Sequence, residues 1–202
     1  MHREKHEKLI TLDVGRPIWD RSFGVYPLVI IGSKEENGQF NLAPKHLAMP
    51  LGWENYYGFV CSPRHTTYHN IRRHGAFTVS YPRPSEVLIA SLAAAPRCEE
   101  QSKPSLLVLP TFPALEVDGV LVEGCSLFLE CRLHSIIDGF GPNSLIIGTV
   151  LAAMAHEDAL RGEDRDEGDQ IYHHPLLAYL SPGRFAEIRH SLSFPFPKGF
   201  SR

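Results

Sequence analysis

Short apolar runs separated by polar turns dominate the chain, and this pattern predicts a β-rich fold. Residues 27–33 are almost continuously apolar and rich in β-branched side chains, so a buried strand is expected there. The polar segment that follows ends in Asn37-Gly38, and Asn-Gly between two strand-like runs is a strong hairpin signal. Residues 39–46 are therefore predicted to return antiparallel to the first strand.

The rest of the chain repeats this alternation and leaves room for only two helices. Helices are predicted at residues 67–74, with Thr66 or Thr67 as N-cap and Gly75 as the left-handed stop, and at residues 87–95, with Ser85 as N-cap. Further strands are predicted at residues 11–14, 56–61, 76–81, 126–137, 144–155, 175–180 and 184–188, with a short one within 114–121.

Six or more strands with two inserted helices suit a closed antiparallel barrel. A doubly wound α/β sheet fits less well, because the strands do not alternate regularly with helices. The 16 glycines and 16 prolines agree with a mainly β chain that has many turns.

Composition narrows the class of protein. A chain of 202 residues that is 43% apolar fits one domain with a real core, and its net charge of −3 gives no nucleic-acid footprint. The chain has four cysteines without a CxxC pair, no N-terminal apolar signal, and no run of about 20 apolar residues. We therefore expect free thiols, a cytoplasmic location and no membrane partner. Residues 161–170 carry five acids against two arginines, which predicts a solvated or mobile loop.

The most informative stretch is C-S-P-R-H-T-T, residues 61–67, at the start of the first predicted helix. A helix start has unpaired N–H groups and partial positive charge. Arg64 and two threonine hydroxyls at that position suit an anion, most naturally a phosphate. The same residues are also compatible with an ordinary capped surface helix.

Three other groups of residues carry possible chemistry. Asn41 and Lys45 on the returning hairpin strand suit a planar heterocycle and an anion, although an edge strand with a solvated lysine would look the same. Phe185, after Gly183-Arg184, can stack on a ring or simply fill the core. His65 and His69 have the i, i+4 spacing of a zinc pair, but the sequence offers no obvious third ligand.

Taken in order, these segments resemble the flavin reductase-like family of FMN-binding split β-barrels, which includes flavoredoxin-type proteins. The resemblance spans residues 25–188 and depends on the order and spacing of five motifs. They are P-L-V-I-I-G-S, N-L-A-P-K-H after Asn-Gly, C-S-P-R-H-T-T-Y-H-N-I-R-R-H-G-A-F-T-V-S, L-I-I-G-T-V-L-A-A-M-A-H-E-D and P-L-L-A-Y-L-S-P-G-R-F-A-E-I. The implied division is an extension at 1–24, the domain at 25–190 and an extended tail at 191–202.

The resemblance implies a split antiparallel barrel, mainly β with a few short helices, that forms a homodimer and binds FMN non-covalently near the subunit interface. The implied cofactor-binding residues are Asn41, Leu42, Ala43, Pro44 and Lys45 at the ring or ribityl chain, Arg64, His65, Thr66 and Thr67 at the phosphate, and Lys103 and Phe185 near the flavin. The chain departs from the family where Gln101-Ser102 replaces an Asp before the lysine and where residues 47–53 lack the S-x-x-P-P pattern of two-component reductases.

The implied function is hydride transfer from NAD(P)H to FMN, with reduced flavin passed to a partner oxygenase or another acceptor. The cofactor supplies this chemistry, so no side chain is expected to act as a catalytic acid or base. Two alternatives stay open at this point: a flavin- or haem-binding electron carrier or sensor without NAD(P)H activity, and a histidine-rich metal-binding β-barrel.

Overall fold

The computed structural model of the chain describes residues 9–98, 103–162 and 164–200. Within them lie three α-helices, α1 (Thr66–His74), α2 (Val87–Ala93) and α3 (Glu167–His173), and 3₁₀ turns at Pro84–Glu86, Pro104–Val108 and Glu157–Ala159. The strands are β1 (Gly24–Pro27), β2 (Val29–Lys34), β3 (Phe40–Lys45), β4 (Ala48–Pro50), β5 (Tyr56–Cys61), β6 (Ala76–Pro82), β7 (Thr111–Pro113), β8 (Val120–Val122), β9 (Cys125–Phe140), β10 (Asn143–Ala155), β11 (Leu176–Ser181) and β12 (Arg184–Ile188).

The strands form one large antiparallel sheet and two small ones, which confirms the mainly β prediction. The large sheet has the order β3-β2-β6-β9-β10-β5-β4, and the small sheets are β1-β11-β12 and β7-β8. In the described residues, β3 and β4 pair with no further strand on their outer sides, so hydrogen bonds do not close the sheet. The structure therefore confirms the split antiparallel barrel that the resemblance implied, and the fully closed barrel suggested by the strand count does not form.

The alternation of side chains along β2 lets the two helices predicted from the sequence, α1 and α2, pack on opposite faces of the large sheet. Val29 and Ile31 pack with Tyr68 and Ile71 of α1. Ile30, which points the other way, packs in a second cluster with Ala90 and other residues of α2. Successive side chains of a strand point to opposite faces, so one six-residue strand supports both cores.

The predicted helices form, but their N-caps differ from the prediction. Gly75 ends α1 with φ of 71° and donates its N–H to Ile71 O, as expected for a left-handed stop. The N-cap of α1 is His65, not a threonine, and Glu86 takes the place of Ser85 at α2. The Thr67 hydroxyl is buried and is used in a long-range hydrogen bond, so it does not cap its own helix.

Three other segments differ from their predictions. Residues 11–14 form no strand, and the short strand predicted within 114–121 is instead the hairpin of β7 and β8. The acidic stretch ends in α3, whose N-cap Asp166 accepts a hydrogen bond from the Asp169 N–H. Residues 1–8, 99–102, 163 and 201–202, which include parts of the predicted extension, acidic loop and tail, lie outside the described residues.

A buried carboxylate fixes the loop between β7 and β8. Glu130 of β9 is 0% exposed and accepts hydrogen bonds from the backbone N–H groups of Leu115, Glu116 and Val117 at 2.6–3.2 Å. Three N–H donors compensate the cost of burying the charge. The loop is thereby attached to the centre of the large sheet.

Among the described residues, no helix has the length and apolar content needed to cross a membrane.

Candidate functional site

The free edge of the large sheet at β3 is the centre of the candidate site. Proline is tolerated on an edge strand because its missing N–H need not pair, and Pro44 stands on β3. The Lys103 ammonium covers another edge group, donating to the carbonyl oxygens of Leu42 at 3.0 Å and of Ala93 at 2.8 Å. The proline and the lysine together disfavour the addition of another strand at β3.

The first turn of α1 lies on one side of this edge. A tight turn leads into it: the His65 N–H donates to Ser62 O at 3.0 Å, and the Arg64 N–H donates to Ser62 Oγ at 3.3 Å. The Tyr68 N–H donates to His65 O at 3.0 Å, whereas the N–H groups of Thr66 and Thr67, at the first two helical positions, have no carbonyl partner one turn back within the helix. No residue of that first turn, all of it described, is acidic. The exposed Arg64 adds a positive charge there. The helix start therefore suits an anion.

The positive charge of Lys45 on β3 acts on two groups beside the start of α1, His65 and Cys61. Burial lowers the pKa of His65, and the positive charge of Lys45 lowers it further. Burial raises the pKa of the Cys61 thiol, whereas the neighbouring Lys45 ammonium opposes that rise. Cys61 Sγ lies 4.0 Å from His65 Nδ1. The lowered pKa of His65 favours an uncharged imidazole and the raised pKa of Cys61 favours a protonated thiol near neutral pH.

A chain of polar contacts holds the other end of β3. Asn41 Nδ2 donates to Thr67 Oγ1 at 3.1 Å, and both residues are buried. Arg97 Nη2 donates to Asn41 Oδ1 at 3.3 Å and also forms an ion pair with Glu35. Strand, helix start and the segment after α2 are therefore joined through one amide side chain.

Lys103 is a partly desolvated cation at this edge. Its pKa is lowered first by burial and then by the positive charge of Arg97, while Glu35 opposes the change. The contribution of Lys45 to the same shift places both ammonium groups in one region. Their charges favour an anionic or electron-rich ligand along β3.

Phe185 lies on the opposite face of the sheet from Thr67. With Leu28, Pro44 and Tyr179 it lines an apolar cavity of about 400 Å³ against α2. Beside this cavity the His46 ring lies between two tyrosines, with centroid distances of 5.6 Å to Tyr26 and 4.5 Å to Tyr179. Burial, and then the charge of Lys45, lower the pKa of His46.

The predicted site residues thus divide between the two faces of one edge strand. Phe185 lies on the α2 side, where it lines the same cavity as Pro44 of β3. The other ten lie on or beside β3 and the start of α1: Asn41, Leu42, Ala43, Pro44, Lys45, Arg64, His65, Thr66, Thr67 and Lys103. Sequence reasoning missed Glu35 and Arg97 as site residues, because their ion pair joins a hairpin turn to a segment 62 positions away. Nothing local in the sequence marks that pairing.

The matching family model is the flavin reductase like domain, which covers residues 23–186. That match spans most of the chain, so the protein belongs to the flavin reductase-like family. A sequence relative, an uncharacterized protein of Methanothermobacter thermautotrophicus, is 27% identical over 145 residues, covering 68% of this chain and 67% of the relative.

Solved structures share the fold. Flavoredoxin from Methanosarcina acetivorans superposes with a TM-score of 0.75 at 20% identity, covering 95% of this chain and 97% of that one. An FMN-binding protein from Thermus thermophilus gives 0.75 at 16% identity, covering 92% and 99%. BorF, the flavin reductase component of a bacterial two-component tryptophan halogenase, gives 0.63 at 17%, covering 82% and 91%. At these identities the similarity establishes a common architecture.

The residues present fit a flavin better than a metal ion. Within the described residues, no group of three or more His, Cys, Asp or Glu side chains is placed to hold a metal. The β3 edge instead combines an anion-suited helix start, backbone edge groups and an adjoining apolar cavity. These are the surfaces that a phosphate, a polyol chain and an aromatic ring require.

Proposed function

We propose that this flavin reductase-like protein binds FMN along β3 and uses it as an oxidoreductase that takes hydride from NAD(P)H. The observation that carries the proposal is the position of β3, a free sheet edge between the start of α1 and the cavity at Phe185. A ligand with a phosphate and a large ring can reach both the start of α1 and the cavity at Phe185 only if it lies along that edge.

In this proposal the phosphate lies at the start of α1. Arg64 and the first-turn N–H groups of Thr66 and Thr67 donate to it, and Lys45 adds charge from the strand. A neutral His65 can donate or accept there, depending on its tautomer. Asn41 acts mainly by holding the strand and helix together, because its amide is already used on Thr67 and Arg97.

The ring lies nearer Lys103 and the apolar cavity. A desolvated ammonium suits the electron-rich pyrimidine side of a flavin, and Phe185 with Pro44 offers an apolar surface. Bound FMN would supply the hydride chemistry. The side chains of this chain bind and orient it, exclude water from one face and set the charge around it.

The proposed assembly is a homodimer located in the cytoplasm. The exposed apolar side chains of the described residues include Trp53, at 90% exposed, and Phe140, at 57%, and such surfaces suit burial against a second copy. Like BorF, which is a reductase component, the chain would deliver reduced flavin to an oxygenase or another acceptor.

The test is a visible spectrum of the purified chain followed by steady-state oxidation of NADH and of NADPH with added FMN. We expect a flavin spectrum and turnover with one of the two nicotinamides. A flavin spectrum without turnover with either would favour the electron-carrier alternative. A haem Soret band, or no FMN binding at all, would overturn the flavin assignment.

A further inference from the structure

A second cavity lies away from the β3 edge, beneath α3. Its volume of about 390 Å³ falls within the usual range for small-molecule sites, about 300–1,000 Å³. It is formed where the ends of β1 and β6 meet the starts of β9 and β11, and we call it the α3 cavity. Its lining residues are Pro27, Leu28, Tyr81, Pro82, Arg83, Ser126, Asp158, Ala159, Arg161, Glu167, Gln170, Ile171, Pro175, Leu176 and Leu177.

Leu28 also lines the apolar cavity at Phe185, but no other lining residue of the α3 cavity belongs to the candidate flavin site. The cavity is therefore a separate feature, and its interpretation does not depend on the proposed function.

One wall of the α3 cavity is formed by Arg161, Glu167 and Gln170, which are described residues of the acidic stretch 161–170 and are held by polar contacts. Gln170 Nε2 donates to Asp158 O at 2.8 Å and to Leu160 O at 2.6 Å, so α3 is attached to the 3₁₀ turn before it. Arg161 forms an ion pair with Glu167 across the same segment. The charged residues from which a solvated loop was predicted therefore help to fix one side of the α3 cavity.

The polar groups of the α3 cavity are paired with one another. Arg83 Nη2 donates to Asp158 Oδ1 at 2.6 Å, and Asp158 Oδ2 lies 3.2 Å from His174 Nδ1. The hydrogen bond from Arg83 lowers the pKa of Asp158, which keeps this carboxylate ionised. The Tyr81 and Ser126 hydroxyls are directed elsewhere, to Tyr57 and to the Tyr81 carbonyl. The Arg161–Glu167 pair also lines the cavity, but its side chains are 77% and 58% exposed, so the less solvated Arg83–Asp158 pair is the stronger polar feature for a ligand.

This pairing selects against a charged ligand. A carboxylate that entered the cavity would lose its hydration and meet an arginine whose charge Asp158 already neutralises. The free-energy cost of its desolvation would therefore not be compensated. A neutral carboxamide has the complementary pattern, because its oxygen accepts from a guanidinium N–H and its N–H donates to a carboxylate. The surrounding prolines, leucines and isoleucine suit an apolar or aromatic body.

We propose that the α3 cavity is a binding site for a small neutral aromatic carboxamide, whose amide group pairs with Arg83 and Asp158 and whose ring fills the apolar space beneath α3.

The test compares benzamide with benzoate and toluene, three probes of similar shape, by NMR titration of the isotope-labelled full chain. We expect saturable binding of benzamide with a dissociation constant of about 1 mM or below, and binding of benzoate and toluene at least about tenfold weaker. Benzoate or toluene binding as tightly as benzamide, or no saturable binding of benzamide, would overturn the proposal.

Two variants locate the binding. Leu177→Trp fills the cavity and should weaken benzamide binding at least about tenfold, whereas Leu192→Trp, at a position that is 97% exposed in the tail, should not. Arg83→Met keeps a long apolar side chain and should weaken benzamide but leave toluene unchanged, with the exposed Arg72→Met as its control. Unchanged benzamide affinity in a folded Arg83→Met variant would contradict the proposed contact, even if Leu177→Trp fails to fold.

Discussion

Asn41 Nδ2 donates a 3.1 Å hydrogen bond to Thr67 Oγ1, and this buried contact joins the edge strand to the first turn of α1 across 26 positions of sequence. Asn41→Ala would remove the donor and leave both the Thr67 hydroxyl and the Arg97 guanidinium without that partner. We expect the free energy of unfolding to fall by about 1–3 kcal/mol, measured by urea denaturation. The exposed Asn55→Ala is the control and should change it by less than about 0.5 kcal/mol. Equal effects of the two substitutions would show that the buried contact contributes little.

Arg64 tests the phosphate position directly. Arg64→Ala should weaken FMN binding by about 1.5–3 kcal/mol, or about 10- to 150-fold, because it removes a charged hydrogen bond. Riboflavin lacks the phosphate, so its affinity should change little. Fluorescence quenching titrations measure both ligands, and Arg72→Ala, which removes the same charge from the exposed surface of α1, is the control. An equal loss for FMN and riboflavin would remove Arg64 from the phosphate site.

His46 makes stability depend on pH in the mildly acidic range. Burial between two tyrosine rings lowers its pKa below the ordinary 6.5. As the pH falls below 6.5, the unfolded chain takes up a proton more readily than the folded one, so this contribution to stability is progressively lost. His46→Gln should therefore show a shallower decline in unfolding free energy between about pH 6.5 and 5. A wild-type slope in a folded His46→Gln variant would contradict the assignment.

Glu130 tests the internal anchor of the β7–β8 loop. Glu130→Ala leaves three backbone N–H groups without their buried acceptor and should lower the unfolding free energy by about 3–5 kcal/mol. Thermal and urea unfolding monitored by circular dichroism measure this change. Glu116→Ala removes a similar carboxylate from the exposed loop surface and should be nearly neutral. Comparable losses in both variants would show that the loop does not depend on the buried carboxylate.

Local patterns predicted the hairpin, α1 and the two long strands well. The Asn37-Gly38 turn, with Gly38 at φ of 84°, and the left-handed Gly75 required only short-range reasoning. The threonine N-cap was wrong because a hydroxyl that could cap locally found a distant buried partner in Asn41. Local preference is a weak guide when tertiary contacts compete for the same group.

The candidate site was predicted in part, for a related reason. Residues contributed by one continuous segment, such as Arg64 to Thr67, were recognisable together. Glu35 and Arg97 were not, because their pairing depends on how α2 returns to the hairpin. The role of the acidic segment was also invisible, since charge density alone does not distinguish a solvated loop from a wall over a cavity.

The alternation of β3 has a consequence for how this protein can change over evolution. Asn41 and Lys45 face α1, whereas Leu42 and Pro44 face α2, and the pairing with β2 fixes which set points where. Inserting or deleting one residue in the Asn37-Gly38 turn would shift the pairing by one position and exchange the two sets. Both halves of the site would fail together, so the length of this small exposed turn is expected to tolerate less variation than its exposure suggests.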